Sequence, residues 1–403
     1  MQLEYITHKP GVGGSTPSPA TIFIRTVIRK FLKKIFKIIS YGLFFKIYGK
    51  IKKSIESNSD DRIKVEIVNI EKHFRYKVYK IAGGKLYTDR IQDTAVILDN
   101  KIVEGPSFQL RGTSGPNPEI VNSNVRDNIV LKIGTPRRLR NLNGIVLSLL
   151  TGGGGNENYF HWLYDVLPRI GICNKLVGLS EIDFFLLPNL SKKFQNETLD
   201  CLNIPKHKRL SSEKYRHIKA KELIVTDHPV VVTGNSTRDI QNIPRWIMLW
   251  LNSNFCDQKV TKNKKIKNKI YLERDFTTLE NIPERSVSND NEVKSYLLKK
   301  DFVPVRLGEI MFSEQVDLFH NADYIIGLHG AGFANLAFCK PGTKVIEFRS
   351  TTSGQLYENI AKKNNLNYSS IITEAKHIYK YNFPTQQGHV QVPISSLSKI
   401  LEN

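Results

Sequence analysis

The chain has 403 residues, with 59 Lys plus Arg against 38 Asp plus Glu and a formal net charge of +21. Hydrophobic residues at 40% and charged residues at 24% argue against a disordered chain, and the length calls for two or three domains. The chain shows no run of about 18 uncharged apolar residues, which argues against a bilayer-spanning helix. Its four Cys, at 173, 201, 256 and 339, form no CxxC pair, which argues against a disulfide framework or structural zinc and predicts free thiols in a reducing compartment.

Residues 1–20 carry Gly11, Gly13, Gly14, Pro17 and Pro19 with little apolar pattern and are expected to form a disordered lead. Residues 21–53 hold ten cations and no acid, interleaved with Ile24, Val27, Ile28, Phe31, Ile35, Ile38 and Ile39 at steps near three and four. This pattern predicts a basic amphipathic helix over 21–57 that lies on an anionic membrane surface. The plainer alternative is a cationic helix packed on its own domain. The remaining charge is diffuse and matches no nucleic-acid-binding module, so no nucleic acid partner is expected. A polar break, Glu56 to Asp61, follows.

From residue 62 onward, short β-rich runs alternate with helical patterns. In the first half the strand candidates are 64–70, 95–98, 145–150, 183–187 and 222–226, and the clearest helix is 159–177, interrupted by Pro168. In the second half strands are predicted over 269–272, 302–306, 324–328 and 344–348, with helices over 291–300, 313–321 and 331–339. This alternation predicts parallel sheets covered on both faces. The lysine-rich stretch 259–269 marks a linker, so the expected domains are 62–240 and 260–403, facing each other across a ligand cleft.

The sharpest signal is in the second half. An apolar strand runs into His329-Gly330-Ala331-Gly332, a helix follows, and Asn335 completes a GxGxxN pattern. Small residues at a strand-to-helix turn let backbone N–H groups approach a phosphate. Glu347, read as closing the next strand, is a candidate partner for two ribose hydroxyls. A tight structural turn explains the same glycines. His329 either closes the turn or donates to a phosphate. Arg274 ends the strand KIYLER, and Arg285 follows; such guanidiniums suit a pyrophosphate, or else pair with nearby acids.

The strings KIYLER, R…N..EV and FSEQVDLFHNADYIIGLHGAGFANLAFCKPGTKVIEF together resemble glycosyltransferase family 61, over about 268–349 with a second match in the first half. A bacterial capsule- or polysaccharide-type member is expected. The resemblance implies an α/β, GT-B-like fold of two Rossmann-type domains and an inverting enzyme that uses a nucleotide sugar. Phe333-Ala334 replaces the Leu-Thr of many members, and Arg285 stands alone where many carry a pair.

On the acceptor side, glycines 152–155, including Gly154 and Gly155, lead to Asn158-x-x-His161 and then Asp165. His161 and Asp165 at i and i+4 share a helix face, and a carboxylate beside an imidazole suits a general base. A polar network at a helix start is the plainer reading; the family resemblance favours chemistry, because members carry a similar N-x-x-H-x-x-x-D stretch. The chain contains no Asp-x-Asp, so neither a metal nor another cofactor is expected beside a UDP-type sugar donor.

The expected function is transfer of a sugar to a carbohydrate hydroxyl on a glycan or lipid-linked glycan, by an enzyme held at the cytoplasmic face of a membrane. Two alternatives are an NAD-type oxidoreductase using the GxGxxN turn and a non-catalytic glycan-binding scaffold.

Overall fold

The computed structural model describes residues 19–71, 73–88, 94–107, 109–114, 119–150, 157–256, 268–274, 285–376 and 388–402. Residues 1–18 of the expected lead and most of the lysine-rich linker therefore lie outside the described residues, and the last two residues of that lead, Pro19 and Ala20, are helical.

Pro19–Tyr48 forms one 30-residue helix. It stops at Gly49, whose φ of 76° puts it in the left-handed region where glycine carries no steric cost, and whose N–H reaches back to the Phe45 carbonyl at 3.0 Å. The segment after it is not helical: Lys53–Ile55 is a strand paired in parallel with Lys101–Val103. The helix meets the body at its C-terminal end, where the Tyr48 hydroxyl accepts the Leu139 N–H at 2.9 Å and its ring stands edge-on to His217. Upstream, Phe31, Leu32, Phe36, Ile38, Ile39 and Leu43 are exposed. Among the described residues no helix is long and apolar enough to cross a membrane.

The first half builds a ten-stranded mixed sheet. Its centre is His217–Thr226, parallel to Arg140–Ser148 on one side; on the other, its two ends pair antiparallel with Lys85–Thr88 and Phe74–Ala82. The expected parallel pairing thus holds for Arg140–Ser148 and the strands beside it and for the edge pair Lys53–Ile55 with Lys101–Val103, and not for the rest of the sheet. The hairpin of Ile63–Ile70 with Phe74–Ala82 adds antiparallel strands, because two short hairpin strands need no crossover helix.

The second half is a five-stranded parallel sheet in the order Val303–Arg306, Lys269–Glu273, Tyr324–Leu328, Lys344–Ser350, Asn367–Thr373. In chain order that is 2-1-3-4-5, so the winding reverses between Lys269–Glu273 and Tyr324–Leu328. Ligands of such sheets bind outside the strand carboxyl ends at this reversal. Both faces are covered: Ile270, Ile325 and Val345 pack on one side, Tyr271, Ile326 and Ile346 on the other.

The two halves share a core. One apolar cluster runs from Val78, Leu147 and Ile224 of the first sheet, through Trp162, Leu163 and Leu167, to Phe333 and Leu336 and on to Ile325 of the second. The molecule is a mixed α/β fold of two large sheets, as a GT-B-like architecture requires, with the segment Tyr159–Cys173 packed between them. The four cysteines carry no disulfide.

Candidate functional site

The segment from Tyr159 to Cys173 begins under a side-chain cap. Asn158 Oδ1 accepts the N–H groups of Phe160 at 3.0 Å and His161 at 3.4 Å, satisfying donors that the first turn leaves without partners. Asn158 thereby fixes the start of the turn that carries His161. The middle, Trp162–Val166, widens to π-helix ahead of Pro168, and the Leu167 N–H reaches the Trp162 carbonyl at 3.1 Å. This is how the chain absorbs the proline. The segment continues as one run instead of breaking, and single π turns recur at functional sites.

Within this segment His161 Nδ1 lies 2.6 Å from Asp165 Oδ2. A carboxylate can only accept, so Nδ1 carries the proton and Nε2 presents a lone pair. The His161 side chain is 27% exposed and that of Asp165 5%. Burial works against the charged imidazole, but the Asp165 carboxylate outweighs it and lifts the His161 pKa above the ordinary value. Burial likewise pushes Asp165 up, and the nearby His161, His228 and Arg169 more than reverse it, holding the carboxyl below its usual range.

Two further residues complete this network, and neither stood out in the sequence. Arg169 is buried; its Nε donates to the Asp165 carbonyl at 3.0 Å and its Nη1 to the Thr226 carbonyl at 3.2 Å. Burial pushes its pKa down to about 10, which still leaves a cation at neutral pH. His228 Nδ1 accepts the N–H groups of Val230 and Val231, so its proton is on Nε2, 3.9 Å from Asp165 Oδ2. Burial lowers His228 to about 3, so it is neutral at physiological pH. The i,i+4 spacing reveals His161–Asp165; no spacing reveals His228, which reaches the site from the far end of a sheet strand.

In the second half, Arg274 follows the first strand and His329 the third, on either side of the winding reversal. A Cβ placed on Gly330 would lie 3.7 Å from Arg274 Nη2, so this guanidinium closes on the turn. Arg274 Nη1 donates to the Arg285 carbonyl at 2.5 Å. Arg274, Arg285, His329, Gly330 and Ala331 are thus brought together. The remaining predicted residues do other work. Gly332 makes room for Leu307, whose Cδ1 would be 2.9 Å from a Cβ there. Asn335 is fully buried: its Oδ1 accepts the Tyr159 hydroxyl at 2.6 Å and its Nδ2 donates to Gln315 Oε1 at 3.1 Å, clasping the two halves. Glu347 is also fully buried, with one oxygen 2.5 Å from His329 Nδ1 and the other taking the Tyr368 hydroxyl. Its strand runs on to Ser350, so the carboxylate sits inside the sheet and holds His329, leaving Nε2 as the ring atom that can meet a ligand. Gly154 and Gly155 lie outside the described residues. No cluster of metal-binding side chains occurs among the described residues.

Tyr357, on the helix Leu356–Lys363, joins the two centres. Its ring lies 5.0 Å from His329 and 6.3 Å from Phe160, the neighbour of His161. Burial raises its hydroxyl pKa, and the charges of Arg285 and Arg274 pull against that rise, which puts both cations close by. A cationic turn at a sheet reversal thus stands two rings away from a carboxylate-backed imidazole.

Comparison with known proteins bears on the region that holds this arrangement. The family model described as Glycosyltransferase 61 matches residues 159–346, which contain both centres. That match is to the central region of the chain, just under half of its length. It is 33% identical over 110 residues to the EGF domain-specific O-linked N-acetylglucosamine transferase of Gallus gallus, covering 26% of this chain and 20% of that protein. The same-named proteins of Canis lupus familiaris and Pan troglodytes are 28% and 27% identical over matching shares. The chain aligns with about a fifth of the length of these relatives. These animal proteins overturn the expectation of a bacterial capsule- or polysaccharide-type member. The motifs behind that expectation lie on the anion-binding side, which carries no information about the acceptor.

Proposed function

We propose that the protein is an inverting glycosyltransferase that moves a sugar from a nucleotide-sugar donor to an acceptor hydroxyl on a glycan. Two Rossmann-like halves would supply the two substrates. The single observation that carries this reading is the His161–Asp165 pair, with Nε2 of a partly exposed imidazole left to accept a proton, set across Phe160 and Tyr357 from the Arg274–His329 turn. In this reading the acceptor oxygen attacks the anomeric carbon as its proton passes to His161 Nε2. The bond from that carbon to the diphosphate breaks, and the departing oxygen takes the electron pair. Arg274 and Arg285 offset the charge that develops on the diphosphate, so the proposal assigns that role to side chains and not to a metal. Addition of EDTA then leaves turnover unchanged. The reading is tested by screening UDP-, GDP- and CMP-sugars for thermal stabilisation and assaying the best for transfer. Failure of every nucleotide sugar to stabilise the protein would refute it.

We also propose that Pro19–Tyr48 rests on an anionic membrane surface, which would keep the enzyme near its acceptor. The support is the row of exposed Phe31, Leu32, Phe36 and Ile39 among a cation-rich sequence, on a helix docked by one end. Removing residues 1–48 should abolish sedimentation with phosphatidylserine vesicles while UDP binding persists. Equal sedimentation of both proteins would sink this proposal.

A further inference from the structure

Behind the His161–Asp165 pair lies a cavity of 510 Å³, within the range of about 300–1,000 Å³ usual for small-molecule sites. It opens at the carboxyl end of the central strand His217–Thr226, where Asp227 and His228 form part of its wall. His228 is the same residue that stands 3.9 Å from Asp165, so the cavity and the basic centre share a side chain. Asn122, Ser123 and Asn124 also line the cavity, held by the Asn122 N–H donating to the Gly234 carbonyl at 2.8 Å.

We propose that this cavity is an acceptor subsite for an uncharged, hydroxyl-rich saccharide unit, a proposal that rests on the glycosyltransferase reading above. Three observations carry it. The Ser123 hydroxyl is buried with no hydrogen-bond partner among the described residues, a cost that a ligand hydroxyl would relieve. Asp227 is already held in place by the Lys77 N–H at 2.7 Å, which presents an oriented carboxylate to hydroxyl donors. The charged lining is balanced, with Arg75 and Lys77 against Glu104 and Asp227. Balanced charge among amides and hydroxyls fits a neutral polyol better than a phosphate. A unit bound here would lie on the His228 side of the pair, so an extended acceptor could hold its reacting hydroxyl at His161 and a neighbouring sugar in the cavity.

The test uses the full chain and saturation-transfer NMR with the methyl β-glycosides of glucose, galactose, xylose and N-acetylglucosamine, with inorganic phosphate as a competing probe. At least one glycoside is expected to bind. Ser123→Trp, which fills the cavity, should abolish the signal, and Asp227→Asn should weaken it about tenfold by removing a charged acceptor. UDP titration serves as the separate readout of the donor side and of folding. UDP binding without any glycoside signal, or a signal that survives Ser123→Trp, overturns the subsite alone. Displacement of the glycoside by phosphate overturns its neutral character. Failure of UDP, GDP and CMP alike to bind the parent protein overturns the glycosyltransferase reading itself.

Discussion

Among the described residues, two imidazoles set Nδ1 against a carboxylate, one in each half, in opposite surroundings. His161 meets Asp165 at 2.6 Å with its side chain 27% exposed; His329 meets Glu347 at 2.5 Å with 4% exposed. Asp165 has one oxygen, Oδ1, with no hydrogen-bond partner among the described residues, whereas both oxygens of Glu347 are bonded. The first pair has a reachable nitrogen and spare electrostatic capacity, as a proton acceptor needs. The second is saturated and rigid, as a fixed wall beside a bound anion needs. On the proposed reading, the same two-residue motif takes different roles according to burial and to how many bonds the carboxylate has left.

The sharpest way to break this contrast is to disable the reachable pair. His161→Ala and Asp165→Asn should each cut kcat by about 100- to 10,000-fold, the usual cost of losing a general base, with UDP affinity unchanged. The pH profile gives an independent check. A base must be neutral to act, so kcat should fall as pH drops through the His161 pKa, which the Asp165 carboxylate holds above the ordinary value of about 6.5. Asp165→Asn removes the raising charge and should move that acid limb to lower pH. His228, neutral down to about pH 3, is not the source of the limb. An acid limb unmoved in Asp165→Asn would show that the titrating group is elsewhere.

The next largest effect belongs to the anion-binding side. Arg274→Ala removes a charge-assisted contact, so UDP should bind about 10- to 100-fold more weakly while uridine binds as before. Calorimetric titration of both ligands separates the two, and equal losses would place the guanidinium away from the phosphates.

How far these centres could be read from the sequence depended on how local each one is. The i,i+4 pair and the strand–turn–helix at 329–332 are local, and the structure shows both arrangements. Of the five parallel strands of the second half, the last, Asn367–Thr373, opens on the polar-rich NYSS and was not expected, whereas the other four are short apolar runs and read cleanly. Phe74–Ala82 did not, because its outward positions Arg75 and Lys77 break the apolar run and its pairing partner lies at residues 217–226. Glu347 was readable as a residue near a strand end but not as a buried one, since that depends on the strand continuing to Ser350 and on Tyr368 from the next strand. His228 and Tyr357 come to the site through tertiary packing alone, and Arg169, one turn on from Asp165, is local but owes its burial to packing against the Thr226 end of the sheet.

Glu347→Gln probes the rigid pair. The amide keeps the shape but loses the charge that binds His329 and Tyr368, at a cost of about 1.5–3 kcal/mol for a hydrogen bond to a charged group. The urea midpoint should fall accordingly. Because the residue is fully buried in the sheet with both oxygens bonded, its effect on UDP affinity should be smaller than that of Arg274→Ala. A larger loss of affinity than stability would instead put the carboxylate on the nucleoside.

The smallest expected effect tests whether the halves are coupled by more than their shared core. The Tyr159 hydroxyl donates to Asn335 Oδ1 at 2.6 Å, joining the residue two positions before His161 to the helix that follows the His329 turn. Tyr159→Phe keeps the ring, its edge-on contact with Phe194 and the apolar burial, and removes this one bond. It leaves a buried amide oxygen without its donor, which costs about 1–3 kcal/mol. If the bond also sets the spacing of the two centres, kcat should fall several-fold without a change in UDP affinity, since the anion-binding turn itself is untouched. Urea unfolding followed by turnover on the same sample distinguishes the outcomes. A lower midpoint with unchanged kcat would mean that the aromatic contacts of Phe160 with Tyr357 suffice to hold the register, and that the clasp stabilises the fold without aligning the chemistry.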